Sequence, residues 1–225
     1  MLMDLAALGL TLRLATLTTV LLLLIAAPLA AYIARCHSIL RKMLQAMVAL
    51  PLVLPPTVLG FYILVGLGPT TGFGRFIIRL LGHPLAFTFP GLVVGSMLFS
   101  LPFAVQPLVV AFSNVPRDLT ETAAVLGASP ATVFRRVTLP LARASFLTAG
   151  VLTFTHTVGE FGVVLMIGGD IPGVTRTLSL SIYDQVQELN YSAANHTALW
   201  LIGLSFLALL VVYARAGSSQ GADLA

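Results

Sequence analysis

Five long apolar stretches constrain this chain more than any motif does. They run over 9–34, 44–66, 89–112, 142–168 and 194–214. At about 1.5 Å of rise per residue, each is long enough as a helix to cross a hydrocarbon core of roughly 30 Å. With 58% of residues hydrophobic, 9% charged and a mean hydropathy of +1.00, too little polar surface remains to cover a water-soluble globule. The expected fold is therefore all-α: one polytopic membrane domain over 1–225 with about five transmembrane helices. The first stretch is too long for the apolar core of a signal peptide, and Arg35, Arg41 and Lys42 follow it as a stop signal, so it is expected to stay in the mature protein.

The basic residues set the orientation. If the loops after the first and third spans and the C-terminus face the cytoplasm, that side holds Arg35, Arg41, Lys42, Arg117, Arg135, Arg136, Arg143 and Arg215. The other side holds Arg13, Arg75, Arg79 and Arg176. The excess places the N-terminus outside and the C-terminus in the cytoplasm, consistent with an odd number of spans. Scattered at the ends of apolar runs, these residues read as topology signals rather than as a nucleic-acid surface, despite a net charge of +4.

Two outer segments are too short to span. Residues 177–189 place Leu178, Ile182, Val186 and Leu189 on one face and fit an interfacial or vestibule-lining helix. Residues 67–88 are punctuated by Gly and Pro around a short basic amphipathic piece, expected on the outer surface.

The stretch 114–140 is polar where the rest of the chain is apolar. Asn114 and Pro116 read as the start of one short helix that stops at Gly127, Ser129-Pro130 as the start of a second, and Pro140 as its end. The result is helix, sharp glycine turn, helix, with Glu121 on the first arm and Arg135 and Arg136 on the second. On physical grounds alone, a solvated loop carrying topology arginines reads equally well.

Its residues decide between these. Glu121, Ala123, Ala124, Gly127, Ala128, Phe134, Val137, Leu139 and Pro140 resemble, at every spacing, the signature E-x-A-A-x-x-G-A-x-x-x-x-x-F-x-x-V/I-x-L-P of ABC importer permeases. The resemblance implies a coupling helix that docks in a cleft of a cytoplasmic ATPase, with Glu121, Ala124, Gly127, Ala128, Arg135 and Arg136 at the contact. The stretches "LPLVLPPTVLGFYILVGLG" at 50–68 and "GEFGVVLMIGGDIPGVTRTLSLSIYD" at 159–184 are similar to the molybdate/tungstate permease subunits. Sulfate/thiosulfate permeases share a related G-E-F-G segment, so a tetrahedral oxyanion is the implied cargo, molybdate or tungstate first. Asp170 stands where that family usually has Asn, which adds a negative charge near the outer mouth.

No G-x-x-x-x-G-K-[ST] phosphate loop occurs, so ATP and Mg are expected on a separate ATPase rather than here. His37, His83, His156 and His196 are dispersed and Cys36 is alone, so no metal-ligand spacing and no disulfide is expected; Cys36 reads as a small apolar filler. No nucleophile–base–acid constellation appears, and the chain is not expected to be an enzyme by itself. Lacking Lys or Arg in the middle of any span, the interior has no cation to hold a dianion tightly, which leaves recognition to a separate outer oxyanion-binding protein, as the resemblance also implies. Five spans are too few to enclose a path and dock two ATPase subunits, so a homodimer is expected.

The path candidates are Thr57, Ser100, His156 and Glu160. Thr57 and Ser100 lie beside the prolines of spans two and three, although hydroxyls in membrane helices often bond only their own backbone. Glu160 is an ionisable residue inside span four, with His156 four residues earlier on the same face. It reads either as a structural carboxylate that ties the span's outer end to a neighbouring backbone, or as a gate contact. A proton-coupled secondary transporter would use the pair as a relay, but leaves the 121–140 signature unexplained.

Overall fold

The computed structural model describes residues 4–35 and 38–220, so Cys36 and His37 lie outside the described residues, as does the side chain of Arg215. Among the described residues every regular element is helical. Three helices are long and apolar enough to cross a membrane alone: α1 (Leu5–Arg35), α5 (Phe89–Ser113) and Tyr191–Gln220, whose apolar window lies in Tyr191–Leu210. Two bent helix pairs bring the total to as many as five.

The prolines of the second span break it. Helix α2 (Ile39–Val53) is capped by Ser38 and ends at Leu54; α3 (Pro56–Leu67) restarts at Pro56 after a turn of 112°. A proline lacks the N–H that would bond back into the preceding turn, so Pro55-Pro56 ends one helix and opens the next. The fourth stretch is interrupted twice. Its approach helix Pro130–Leu141 meets α9 (Arg143–Val158) at 69°, and α9 stops before a break at 159–161 that is followed by α10 (Gly162–Gly168). Residues 142–168 are thus two helices, and Glu160 sits in the gap rather than on a continuous helical face.

Helix α5 carries Ala104, Val105, Leu108 and Phe112 into one core cluster, with Leu22, Ala26, Ala30 and Ile33 of α1, and Leu92 into another, with Leu14 of α1. Small residues on α1 let the backbones approach closely, the usual way of packing helices where lipid offers no hydrophobic drive. The half-helices α3 and α10 pack through glycines: a Cβ on Gly60 would lie 2.8 Å from the Met166 Cβ, and one on Gly162 would lie 2.8 Å from the Pro56 Cβ. Gly91 and Gly95, one turn apart on α5, serve different neighbours. Gly91 makes room for the Leu85 carbonyl in the turn before α5, and Gly95 for Ile167 of α10.

Helix α4 (Gly72–Leu81) is the expected amphipathic piece, with Phe73, Phe76 and Leu80 exposed. Helix α11 (Leu178–Gln187) differs from its reading. Leu178, Leu180 and Ser181 are buried, while Val186 and Leu189 of the expected apolar face are exposed. The helix is held at both ends: the Leu178 N–H donates to Thr11 Oγ1 of α1 at 2.9 Å, and Gln185 in the last turn accepts from Thr197 Oγ1 of the last helix at 3.1 Å.

Candidate functional site

Two places collect the residues singled out in the sequence. The first lies where the broken spans meet. A cavity of about 500 Å³ is lined by Pro56 and Thr57 at the start of α3, Phe99 of α5, His156 of α9, and Gly159 and Glu160 of the break. Thr57, His156 and Glu160, distant in sequence, therefore share one wall.

Ser100 is fully buried behind this wall rather than in it. Its Oγ lies 2.9 Å from His156 Nδ1 and 3.0 Å from Thr157 Oγ1, and the Thr157 hydroxyl donates to the Thr153 carbonyl at 2.9 Å. Counting hydrogens orders the chain. With the Thr157 proton committed, Ser100 donates to Thr157 and accepts from Nδ1–H of His156, leaving Nε2 as the acceptor. The imidazole is also held by rings, stacked on Phe103 with centroids 4.1 Å apart and tilted against Phe99 at 4.7 Å.

Glu160 is buried, but its carboxylate does not tie the span to a neighbouring backbone. Both oxygens, and the nearby Ser96 Oγ, lack a hydrogen-bond partner among the described residues. What holds the break is the backbone: the Glu160 carbonyl accepts from Ser179 Oγ at 2.5 Å, and its N–H reaches the Thr157 carbonyl at 3.3 Å. An unpaired buried carboxylate is costly, so this group calls for a partner that the described residues do not supply.

In the loop after α10, Asp170 has φ 54°, a left-handed conformation that Asn and Asp tolerate better than most residues. Its added charge is matched. Arg176 donates from Nε to Asp170 at 2.9 Å and from Nη2 at 3.3 Å, and Nη2 also lies 3.0 Å from Asp184. The hydrogen bond to Asp170 is the main reason the guanidinium is held still more firmly protonated.

The second place is 117–141. Its first helix, α6 (Arg117–Val125), starts after Pro116, while Asn114 ends α5 instead of opening α6. Gly127 turns the chain at φ 83°, and Ser129 caps the next helix by accepting from the Thr132 N–H. That helix runs past Pro140, where a stop was expected, to Leu141; it widens just before the proline into a π turn over Phe134–Thr138, which holds Arg135 and Arg136 and accommodates a residue without an N–H. Glu121, Ala124, Arg135 and Arg136 are exposed, and Ala128 is half-buried. Phe134 stacks edge-on against Phe112 of α5 at 5.7 Å, and Phe112 against Phe146 of α9 at 6.1 Å. The arm is thereby fixed to two spans. At its tip, Val125 and Leu126 are 88% and 81% exposed, an apolar knob that the sequence reading passed over in favour of the polar residues beside it.

Residues 10–217 match the family model described as binding-protein-dependent transport system inner membrane component. The molybdenum transport system permease protein ModB of Azotobacter vinelandii is 52% identical over 93% of each chain. Its namesake in Mycobacterium tuberculosis is 38% identical, over 93% of this chain and 78% of that one. The chain belongs to this permease family. Among solved structures, a bacterial alginate ABC transporter bound to its periplasmic protein superposes with a TM-score of 0.74 at 20% identity, covering 92% of this chain and 76% of that one. The MetNI methionine ABC transporter in inward-facing form gives 0.71 at 19% identity, covering 94% of each. At these identities the likeness establishes the fold. As a multi-pass inner-membrane permease subunit of an ABC transporter, the chain is not itself the catalyst.

Proposed function

We propose that this permease carries molybdate into the cytoplasm, as two copies that share one path and dock two ATPase subunits on their cytoplasmic arms. The observation that carries the reading is the 117–141 arm: an exposed helix, a left-handed Gly127 turn and a second helix, ending in an apolar tip and fixed to the spans by the Phe134–Phe112–Phe146 stack. An arm that only solvated a loop would gain nothing from two exposed aliphatic side chains at its tip. Val125 and Leu126 fit an apolar cleft, Glu121, Arg135 and Arg136 fit its polar rim, and Ala124, Gly127 and Ala128 keep the arm thin.

The relatives point to the cargo. High identity along almost the whole chain to molybdenum permeases favours molybdate, with tungstate and sulfate as its chemical neighbours. The orientation with the arm in the cytoplasm and the N-terminus outside rests on the basic residues. ATP and Mg belong to the ATPase, and tight selection belongs to an outer oxyanion-binding protein. The permease supplies a passage in which Thr57, Ser100, His156 and Glu160 form or support the gate at the junction of the broken spans. Movement of the arm reaches that junction through α9, which bears Phe146 near one end and His156 near the other.

Co-purification tests the reading. Tagged wild-type protomer should retain the ATPase and an untagged second copy; Gly127→Val and Glu121→Ala should remain in the membrane and lose ATP-driven uptake. Wild-type uptake by both variants would refute it.

A further inference from the structure

Beyond the junction, α5 presents one further polar side chain, Gln106, on an otherwise apolar stripe. Phe99, Phe103, Gln106 and Val110 recur at spacings of four, three and four, which places them within one narrow stripe of the helix. Phe99 lines the cavity at Glu160. Phe103, Gln106 and Val110 line a second cavity of about 280 Å³, and Gln106 and Val110 line a third of about 320 Å³ that Gln45 of α2 closes from the other side. The three cavities thus follow one another along a single helix face. The first is separated from the others by the His156 ring between Phe99 and Phe103.

Gln45 and Gln106 are both exposed on the protomer, and neither side-chain amide has a hydrogen-bond partner among the described residues. Gln45 lies six residues after the first residue of α2, and Gln106 seven before the last of α5, on the order of 10 Å inside each helix end. An amide turned to hydrocarbon at that depth costs several kcal/mol, so this face belongs to water, cargo or protein rather than to lipid. An amide NH₂ offers two donors and no full charge. It suits a dianion that must be held briefly and released, because a fixed cation would bind too deeply.

We infer that Gln45 and Gln106 form an uncharged transit site for the tetrahedral oxyanion on the arm side of the His156–Phe103 ring pair, the copies together presenting four amides. This rests on the reading of the chain as an oxyanion permease.

Two measurements on the complete transporter in proteoliposomes test it. In a Cys36→Ser background, Gln106→Cys should react with a charged, membrane-impermeant methanethiosulfonate, and Leu207→Cys, on the exposed face of the last helix, should not; failure of Gln106→Cys to react would overturn the placement whatever the cargo. In ATP-driven molybdate uptake, Gln106→Leu should lower the rate roughly tenfold, as for one lost hydrogen bond to a charged group, with Gln45→Leu similar and Gln106→Glu worse than Gln106→Leu through repulsion of the anion. Wild-type uptake by both leucine variants, or Gln106→Glu transporting faster than Gln106→Leu, would overturn the role of the amides. Absence of molybdate uptake by the wild type would instead strike the cargo assignment, and the thiol reaction would still report whether the stripe lines a path.

Discussion

The Ser100 hydroxyl lies 2.9 Å from Nδ1 of His156 across 56 residues of sequence, and this bond fixes the imidazole between two phenylalanine rings. Ser100→Ala removes the acceptor for Nδ1–H and the donor to Thr157 at once. A thermal denaturation series should find the variant less stable by about 1–3 kcal/mol. Uptake should fall too, because the ring loses its anchor. A variant with unchanged melting and uptake would mean that the chain of hydroxyls is incidental.

Glu160 has the opposite expectation. Since its carboxylate makes no hydrogen bond within the described protomer, Glu160→Leu should leave thermal stability unchanged or higher while uptake drops severalfold, and Glu160→Gln should do the same. Aggregation of the leucine variant with normal behaviour of the glutamine variant would restore the structural reading of this residue.

Asp170 requires backbone tolerance before charge. Asp170→Asn keeps a side chain suited to φ 54° and leaves Arg176 with Asp184, so stability should change by less than about 1 kcal/mol. Asp170→Val places a β-branched residue in the left-handed region and should cost about 1–2 kcal/mol more. Melting curves of the two variants, compared directly, check the order.

The glycine faces between α3 and α10 should be intolerant. Gly60→Ala sets a Cβ against Met166 Cβ and the Val163 Cα, neither of which is the free end of a flexible side chain. Destabilisation of about 1–3 kcal/mol is expected from such overpacking. Gly9→Ala, where nothing lies within 4 Å, serves as the neutral control.

The sequence was legible where local chemistry decides. Gly127 and Ser129 carry the turn and the cap that their residue types announce. It was opaque where tertiary contacts override periodicity. The burial of 178–181 follows from contacts far away in the chain, since Thr11 accepts the Leu178 N–H. Nothing in the run 142–168 marks the stop after Val158 as deeper than an ordinary Gly kink; the bond from Ser179 to the Glu160 carbonyl supports it from another element. Gln45 and Gln106 were invisible as a pair because only the fold places α2 beside α5. Val125 and Leu126 read as ordinary apolar residues until their exposure is seen.

On the proposed function, a cytoplasmic arm converts ATP hydrolysis into passage of an oxyanion through this chain. The most direct test is uptake of radiolabelled molybdate into proteoliposomes holding the permease and its ATPase, with the oxyanion-binding protein on the outside and ATP sealed inside. The prediction is accumulation that requires ATP and the binding protein, survives collapse of the proton gradient, is competed by tungstate and is lost in Gly127→Val. Accumulation driven by a proton gradient without ATP, undiminished in Gly127→Val, would contradict it.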